Sequence, residues 1–311
     1  MPPDVRGRLP RTAGWQPALP CTKIILMPDR ASIHAVTVTQ NTSAFTELML
    51  RTLFLTNELG GFEFRLTVLD NNSSDPEFGA LKAYLGAQQI PLAPTGFSYY
   101  VAAEQHGAAL TDFVRDHADC THYLFLDADM WFVEQNTIAT MLHELQTAPP
   151  NTFAIQARIF GYYVGFVYEG RDGIPSTNAF EHIATWPIEF EGRTYKNIYA
   201  TRCSPVCCLV ANTPLFREVV AAVGLSQAIR FGIGEVIYHD TFSLMTHVMA
   251  THRQQFRVSS QIVNHFTQTS YVNADRSVRE RDCQSMLDEL REGRGNTHPR
   301  FRRPESLFPT R

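Results

Sequence analysis

Two patterns of apolar positions alternate along the first half of the chain. Short runs rich in β-branched and aliphatic residues, such as Ile33 to Thr39 and Phe64 to Leu69, read as buried strands. Between them, apolar side chains recur every three or four positions. Phe45, Leu48, Met49, Thr52 and Leu53 make one helical stripe, with Ser43 as its expected cap and Gly60-Gly61 as its stop. Asp75 followed by Pro76 predicts the next helix start. Val101 to His117 then reads as a helix, and His122 to Leu126 as a strand closing on Asp127-Ala128-Asp129. A helix capped by Asn136 ends near Gln146, and Phe153 to Ala157 reads as a further buried strand.

This alternation predicts an α/β protein with a mostly parallel central sheet flanked by helices. From about residue 158 the pattern becomes irregular and aromatic, with Phe160, Tyr162, Tyr163, Phe166, Tyr168 and later Trp186 as core or sugar-stacking candidates. Helical periodicity returns in Thr213 to Val223 and around Asp240 to Met249. The expected organisation is a disordered extension over 1–30, an α/β half over 31–157, a second half over 158–290 and a flexible tail over 291–311. Met27, just before the folded pattern, is an alternative translation start.

Composition narrows the class. With 311 residues and 44% hydrophobic residues the chain can build its core without external staples. A net charge of -4 offers no field to hold nucleic acid. No stretch approaches the ~20 apolar residues that span a bilayer. The N-terminal segment carries arginines followed by prolines instead of an apolar run, unlike a secretory signal, so the cytoplasm is the expected compartment. The 6 cysteines follow no zinc spacing and read as buried thiols.

Two carboxylates at the tip of a strand apolar on both faces mark the candidate chemistry. Asp127 and Asp129 sit where open α/β sheets bind ligands, and their spacing lets them share a hard divalent cation, Mn2+ or Mg2+; the bland reading is a turn cap. Asp70 has the same topology one strand earlier. Its carboxylate suits the hydroxyls or base of a nucleotide, or an Asx turn within Asp70-Asn71-Asn72.

Three segments occur in order: Val68-Leu69-Asp70-Asn71-Asn72-Ser73-Ser74-Asp75, Ala102-Ala103-Glu104-Gln105-His106-Gly107 and Leu124-Phe125-Leu126-Asp127-Ala128-Asp129. Together they resemble glycosyltransferase family 2. Cys208-Leu209-Val210, Phe216 to Val220, His239-Asp240-Thr241 and Ile262-Val263-Asn264-His265 extend the likeness more loosely. The resemblance implies a GT-A fold with a smaller acceptor-side lobe and metal-assisted, inverting transfer of a sugar from a nucleotide-diphosphate sugar to an acceptor hydroxyl. It implies that Asp70, with Asn41 and Asn72 in the adjoining loops, binds the nucleoside side of the donor. Asp127 and Asp129, as a DxD motif, would engage the metal diphosphate, with His265 a further metal ligand or diphosphate contact. His106 falls near the phosphates or on a helix surface. Asp240 stands at the catalytic base position, beside His239 where the family usually has Glu.

Transfer needs a carboxylate to take the acceptor's proton, and Asp240 and Glu235 both qualify. The acceptor is open between a glycan, a lipid-linked group and a small molecule, with peripheral membrane association compatible. Two rivals stand beside this reading. A nucleotidyltransferase of similar fold would want a Gly-rich, Lys-containing loop that Thr39 to Ser43 does not provide. A catalytically inactive sugar-nucleotide-binding protein would fit the departure at His239.

Overall fold

The computed structural model describes residues 30–97, 102–161, 165–171, 174–176, 188–190, 193–195, 202–225, 230–232, 235–237, 241–266, 276–294 and 301. Of residues 102–104, 165–171, 174–176, 188–190, 193–195, 230–232 and 235–237, only backbone is described. The described residues from Ala31 onward belong to one compact unit, Ala31–Arg311.

The elements follow in chain order. β1 (Ser32–Thr39), α1 (Ser43–Thr56), β2 (Glu63–Asp70), α2 (Phe78–Ala87), β3 (Leu92–Pro94), α3 (Ala102–Asp116) and β4 (His122–Asp127) form the βα half. Then come β5 (Met130–Phe132), α4 (Thr137–Thr147), β6 (Thr152–Gly161), β7 (Gly165–Arg171), β8 (Ile174–Ser176), β9 (Ile188–Phe190), β10 (Arg193–Tyr195) and β11 (Cys207–Ala211). The chain continues through α5 (Pro214–Val223), β12 (Arg230–Gly232), β13 (Glu235–Ile237), α6 (Ser243–Thr251), β14 (Gln255–His265) and α7 (Arg276–Arg291).

The main sheet has the order β3-β2-β1-β4-β11-β6-β14-β5. β3, β2, β1 and β4 are parallel neighbours. β11 runs against both β4 and β6, and β14 is parallel to β6, so β6 and β14 point the same way as β1 to β4. Only β5, pairing antiparallel with β14, reverses the direction again along this path. The sheet therefore crosses from the first half of the sequence into the second without a break.

Strand alternation divides the core between the two faces. Ile33, Ala35, Leu124, Leu126, Cys207 and Leu209 pack on one face with α1, α2 and α4. Val36, Tyr123, Phe125, Cys208 and Val210 pack on the other with α3, α5 and α6. A third cluster joins Phe45, Leu48, Trp131 and Phe266 to Cys283, Met286 and Leu287 of α7, and Phe301, within the expected tail, is buried in it.

Two expected caps prove to be something else. Ser43 lies inside α1, whose N-cap is Thr42, and its hydroxyl donates to Asp75 at 2.7 Å. Asp75 and Pro76 occupy a turn ahead of α2, with Glu77 at the N-cap. The two side chains serve each other across the loops instead of their own helices. Thr213 does cap α5, accepting from the Phe216 N–H at 3.1 Å. The five cysteines among the described residues are free and buried. No helix among the described residues is long and apolar enough to cross a membrane.

Candidate functional site

The carboxyl ends of the co-directional strands gather the candidate chemistry at one edge. Thr39 pairs with Asp70, and Val38 with Asp127, so the tips of β1, β2 and β4 lie side by side. The strand order reverses between β1 and β4, where open α/β sheets form their ligand crevice. β14 brings His265 to the same edge by pairing it with Gly161 at the end of β6.

The chain leaves β4 at Asp127, turns through Ala128 and Asp129, and re-enters the sheet as β5. Because β5 pairs antiparallel with β14, Met130 faces His265 in the register, and Phe266 donates its N–H to the Asp129 carbonyl at 2.9 Å. This places the imidazole against the turn: His265 Nε2 lies 2.9 Å from Asp129 Oδ1 and 3.7 Å from Asp127 Oδ2. One ligand atom from each of Asp127, Asp129 and His265 falls within a 4.8 Å set. Two carboxylates and one imidazole, partly open to solvent, make a donor set that fits a divalent cation.

Burial alone would depress the His265 pKa. The carboxylates of Asp129 and Asp127 outweigh it and hold it up at about 10. The imidazolium so held offsets part of the acidic charge, and a cation using Nε2 would displace that proton.

His106, on α3, approaches Asp127 from the other side, its Nε2 3.6 Å from Oδ1, while its Nδ1 lies 3.1 Å from the Thr241 hydroxyl. The Thr241 carbonyl accepts from the buried Arg202 at 3.2 Å. Phe242 next to it, fully buried, takes a left-handed φ of 72°, a strained conformation for a bulky residue.

The other expected residues are placed less directly. Asp70 Oδ1 accepts the Ser73 N–H at 3.0 Å, three residues on, so this side chain ties down its own loop. Asn41 and Asn72 both have positive φ, 51° and 56°. The Asn41 Oδ1 accepts from Ser74 N–H at 2.8 Å, and the Asn72 amide donates to the Phe97 carbonyl. Both amides therefore lock the loops around the crevice. The backbone of Glu235 pairs with Gly232 in the β12–β13 hairpin, while its side chain, like His239 and Asp240, lies outside the described residues. Arg202 and Arg279 do not stand out in the sequence, because their partners Thr241 and Phe266 lie 39 and 13 residues away and leave no local signal.

No protein-family model and no curated protein matches the chain. Among solved structures it is similar to a mannosyltransferase from Pyrobaculum calidifontis in complex with GDP-Man and Mn2+, at 13% identity and a TM-score of 0.49, covering 88% of this chain and 67% of that one. It is similar to S. aureus TarS 1-349 in complex with UDP-GlcNAc at 13% identity and a TM-score of 0.46, covering 82% and 66%. The likeness to glucosyl-3-phosphoglycerate synthase from Mycobacterium tuberculosis, with Mn2+, UDP-glucose and phosphoglyceric acid, is 15% identity and a TM-score of 0.31, covering 44% and 46%. The chain thus spans about two thirds of the length of the first two of these chains and less than half of the third.

Proposed function

We propose that this chain is a GT-A glycosyltransferase that moves a sugar from a nucleotide-diphosphate sugar to an acceptor hydroxyl by metal-assisted single displacement with inversion. The observation that carries this reading is the meeting of Asp127, Asp129 and His265 within 4.8 Å at the carboxyl edge of the sheet, beside the β1/β4 crevice. The carboxylates suit Mg2+ and Mn2+ alike, and the imidazole favours the transition ion.

A bound divalent cation supplies charge that stabilises the departing nucleoside diphosphate. Asp127 and Asp129 contribute carboxylate oxygens to hold it, and His265 its Nε2. Asp70, at the tip of β2, turns its remaining carboxylate capacity toward a ribose or base, with Asn41 and Asn72 shaping the walls. His106 stands at the phosphate side of Asp127. On the acceptor side Asp240, or Glu235 in its place, takes the hydroxyl proton as the oxygen attacks the anomeric carbon. One base opposite one leaving group gives inversion. Free thiols at the described cysteines accord with the cytoplasm as compartment.

The test is hydrolysis of a panel of nucleotide sugars with Mn2+ by the wild type, Asp127→Asn and Asp240→Asn. A Mn2+-dependent rate is expected, reduced roughly 10²–10⁴-fold by loss of the base in Asp240→Asn. Equal rates in wild type and Asp127→Asn would overturn the cation site as the seat of catalysis.

A further inference from the structure

Behind the cation cluster stands a helix that gives it no ligand. The first turn of α7 grips the ligand edge at two places. Arg276 Nη2 donates to the Asn41 carbonyl, in the loop after β1, at 2.7 Å. Three residues on, Arg279 Nε donates to the Phe266 carbonyl at 2.9 Å. Residues i and i+3 share a helix face, so one turn of α7 spans both segments.

Phe266 is the pivot of the arrangement. Its N–H holds the Asp129 carbonyl, and its fully buried ring packs against Phe45 and Trp131, with centroids 4.9 and 4.4 Å away. The residue before it is His265, whose pairing with Met130 closes the β14–β5 register. Past that point the ladder no longer fixes the strand, and a carbonyl needs a donor from elsewhere. Arg279 supplies one from a side chain only 3% exposed. A guanidinium buried that far is costly, and its fork of donors has a fixed geometry.

We infer that Arg279 is a positioning residue for the cation site: by holding the Phe266 carbonyl it fixes the strand end from which His265 meets Asp127 and Asp129. This rests on the reading of those three residues as a cation site. Groups that orient ligands from behind typically change metal affinity about 10–100-fold when removed. Arg279 thus acts through Phe266 and His265, with no contact to the cation.

The experiment is titration of the full-length chain with Mn2+, followed by the electron paramagnetic resonance of the free ion. Arg279→Met keeps the stem and removes the donors; Arg279→Lys returns one. Arg279→Met is expected to bind Mn2+ about 10–100-fold more weakly, with Arg279→Lys recovering most of the loss. In combination with His265→Ala, Arg279→Met should add little, because both act through one imidazole. Affinity within about twofold of wild type in Arg279→Met, or losses that multiply fully in the double variant, would overturn the proposal. Should Arg279→Met fail to fold, Arg279→Gln, too short to reach the carbonyl, takes its place with the same two outcomes. A wild type that binds no Mn2+ overturns the cation reading itself and this inference with it, a result separate from parity among the Arg279 variants.

Discussion

Three histidines of this chain are driven apart by their surroundings. The acidic turn holds His265 up at about 10, whereas His34 and His122 are pushed down to about 4. For His122 the cause is burial; for His34 it is burial, then His117 and Arg65, partly opposed by Asp119. A lowered native pKa means the unfolded chain takes a proton the folded one refuses. The stability these two residues leave intact at neutral pH is therefore lost as pH falls from about 6.5 toward 4, by up to about 2.7 kcal/mol per pH unit for two protons. The His265 contribution is complete below pH 6.5 and stays flat across that window. Urea unfolding at intervals from pH 7 to 4 should show the fall, and His34→Gln with His122→Gln should flatten it. An unchanged slope in the double variant would refute the assignment. None of this was legible in the sequence, where His34 is one polar position in an apolar strand. The Asp127-Ala128-Asp129 turn was legible because it follows an uninterrupted apolar strand. That His265 faces it depends on β5, a strand of three residues whose partner lies over a hundred positions away.

At the scale of elements, the largest surprise is α7. Its buried stripe, Arg279, Cys283, Met286 and Leu287, has helical spacing, but arginines and acids dilute it, and its apolar partners on α1 and in Trp131 and Phe266 belong to distant segments. What ties α7 to α1 is a buried acid. Glu47, side chain 3% exposed, takes Arg51 Nε at 2.8 Å and Arg291 Nη2 at 2.6 Å. Burial would raise its pKa, yet hydrogen bonds from Arg291 and Arg51 bring it below the usual carboxylate value. Breaking a buried pair costs about 3–5 kcal/mol, and both arginines here keep some access to water, so Glu47→Ala should lose about 3 kcal/mol. Arg291→Met, which leaves the buried Glu47 ion-paired with Arg51, should lose at least as much. Denaturant unfolding of the two variants decides it: a loss under about 1 kcal/mol would put the pair in the class of exposed ion pairs.

Across the whole molecule, the parallel βα half was readable because its strands and helices alternate locally, although the caps expected at Ser43 and Asp75 lie elsewhere. The second half was not: the Phe153 to Ala157 strand was readable, but its place as β6 between β11 and β14 is set by pairing and not by sequence, and β14 carries irregularities between Val258 and Ile262. Yet the candidate site exists only where both halves meet, with Asp70, Asp127 and Asp129 from one and His265 and Thr241 from the other. A nucleoside diphosphate bridged to the edge by a cation would bind the assembled sheet and have no comparable site on the unfolded chain. At a hundred times its dissociation constant such a ligand stabilises by about 2.7 kcal/mol. In a domain of this size that corresponds to a rise in Tm of roughly 5–10 °C. The shift should need Mn2+ and nucleotide together, and should disappear in Asp129→Asn, where the turn keeps its backbone bond to Phe266 but loses a charged ligand. The same rise with nucleotide alone, or in Asp129→Asn, would place the nucleotide away from the acidic turn, because a ligand held through the cation cannot be indifferent to the residue that holds it.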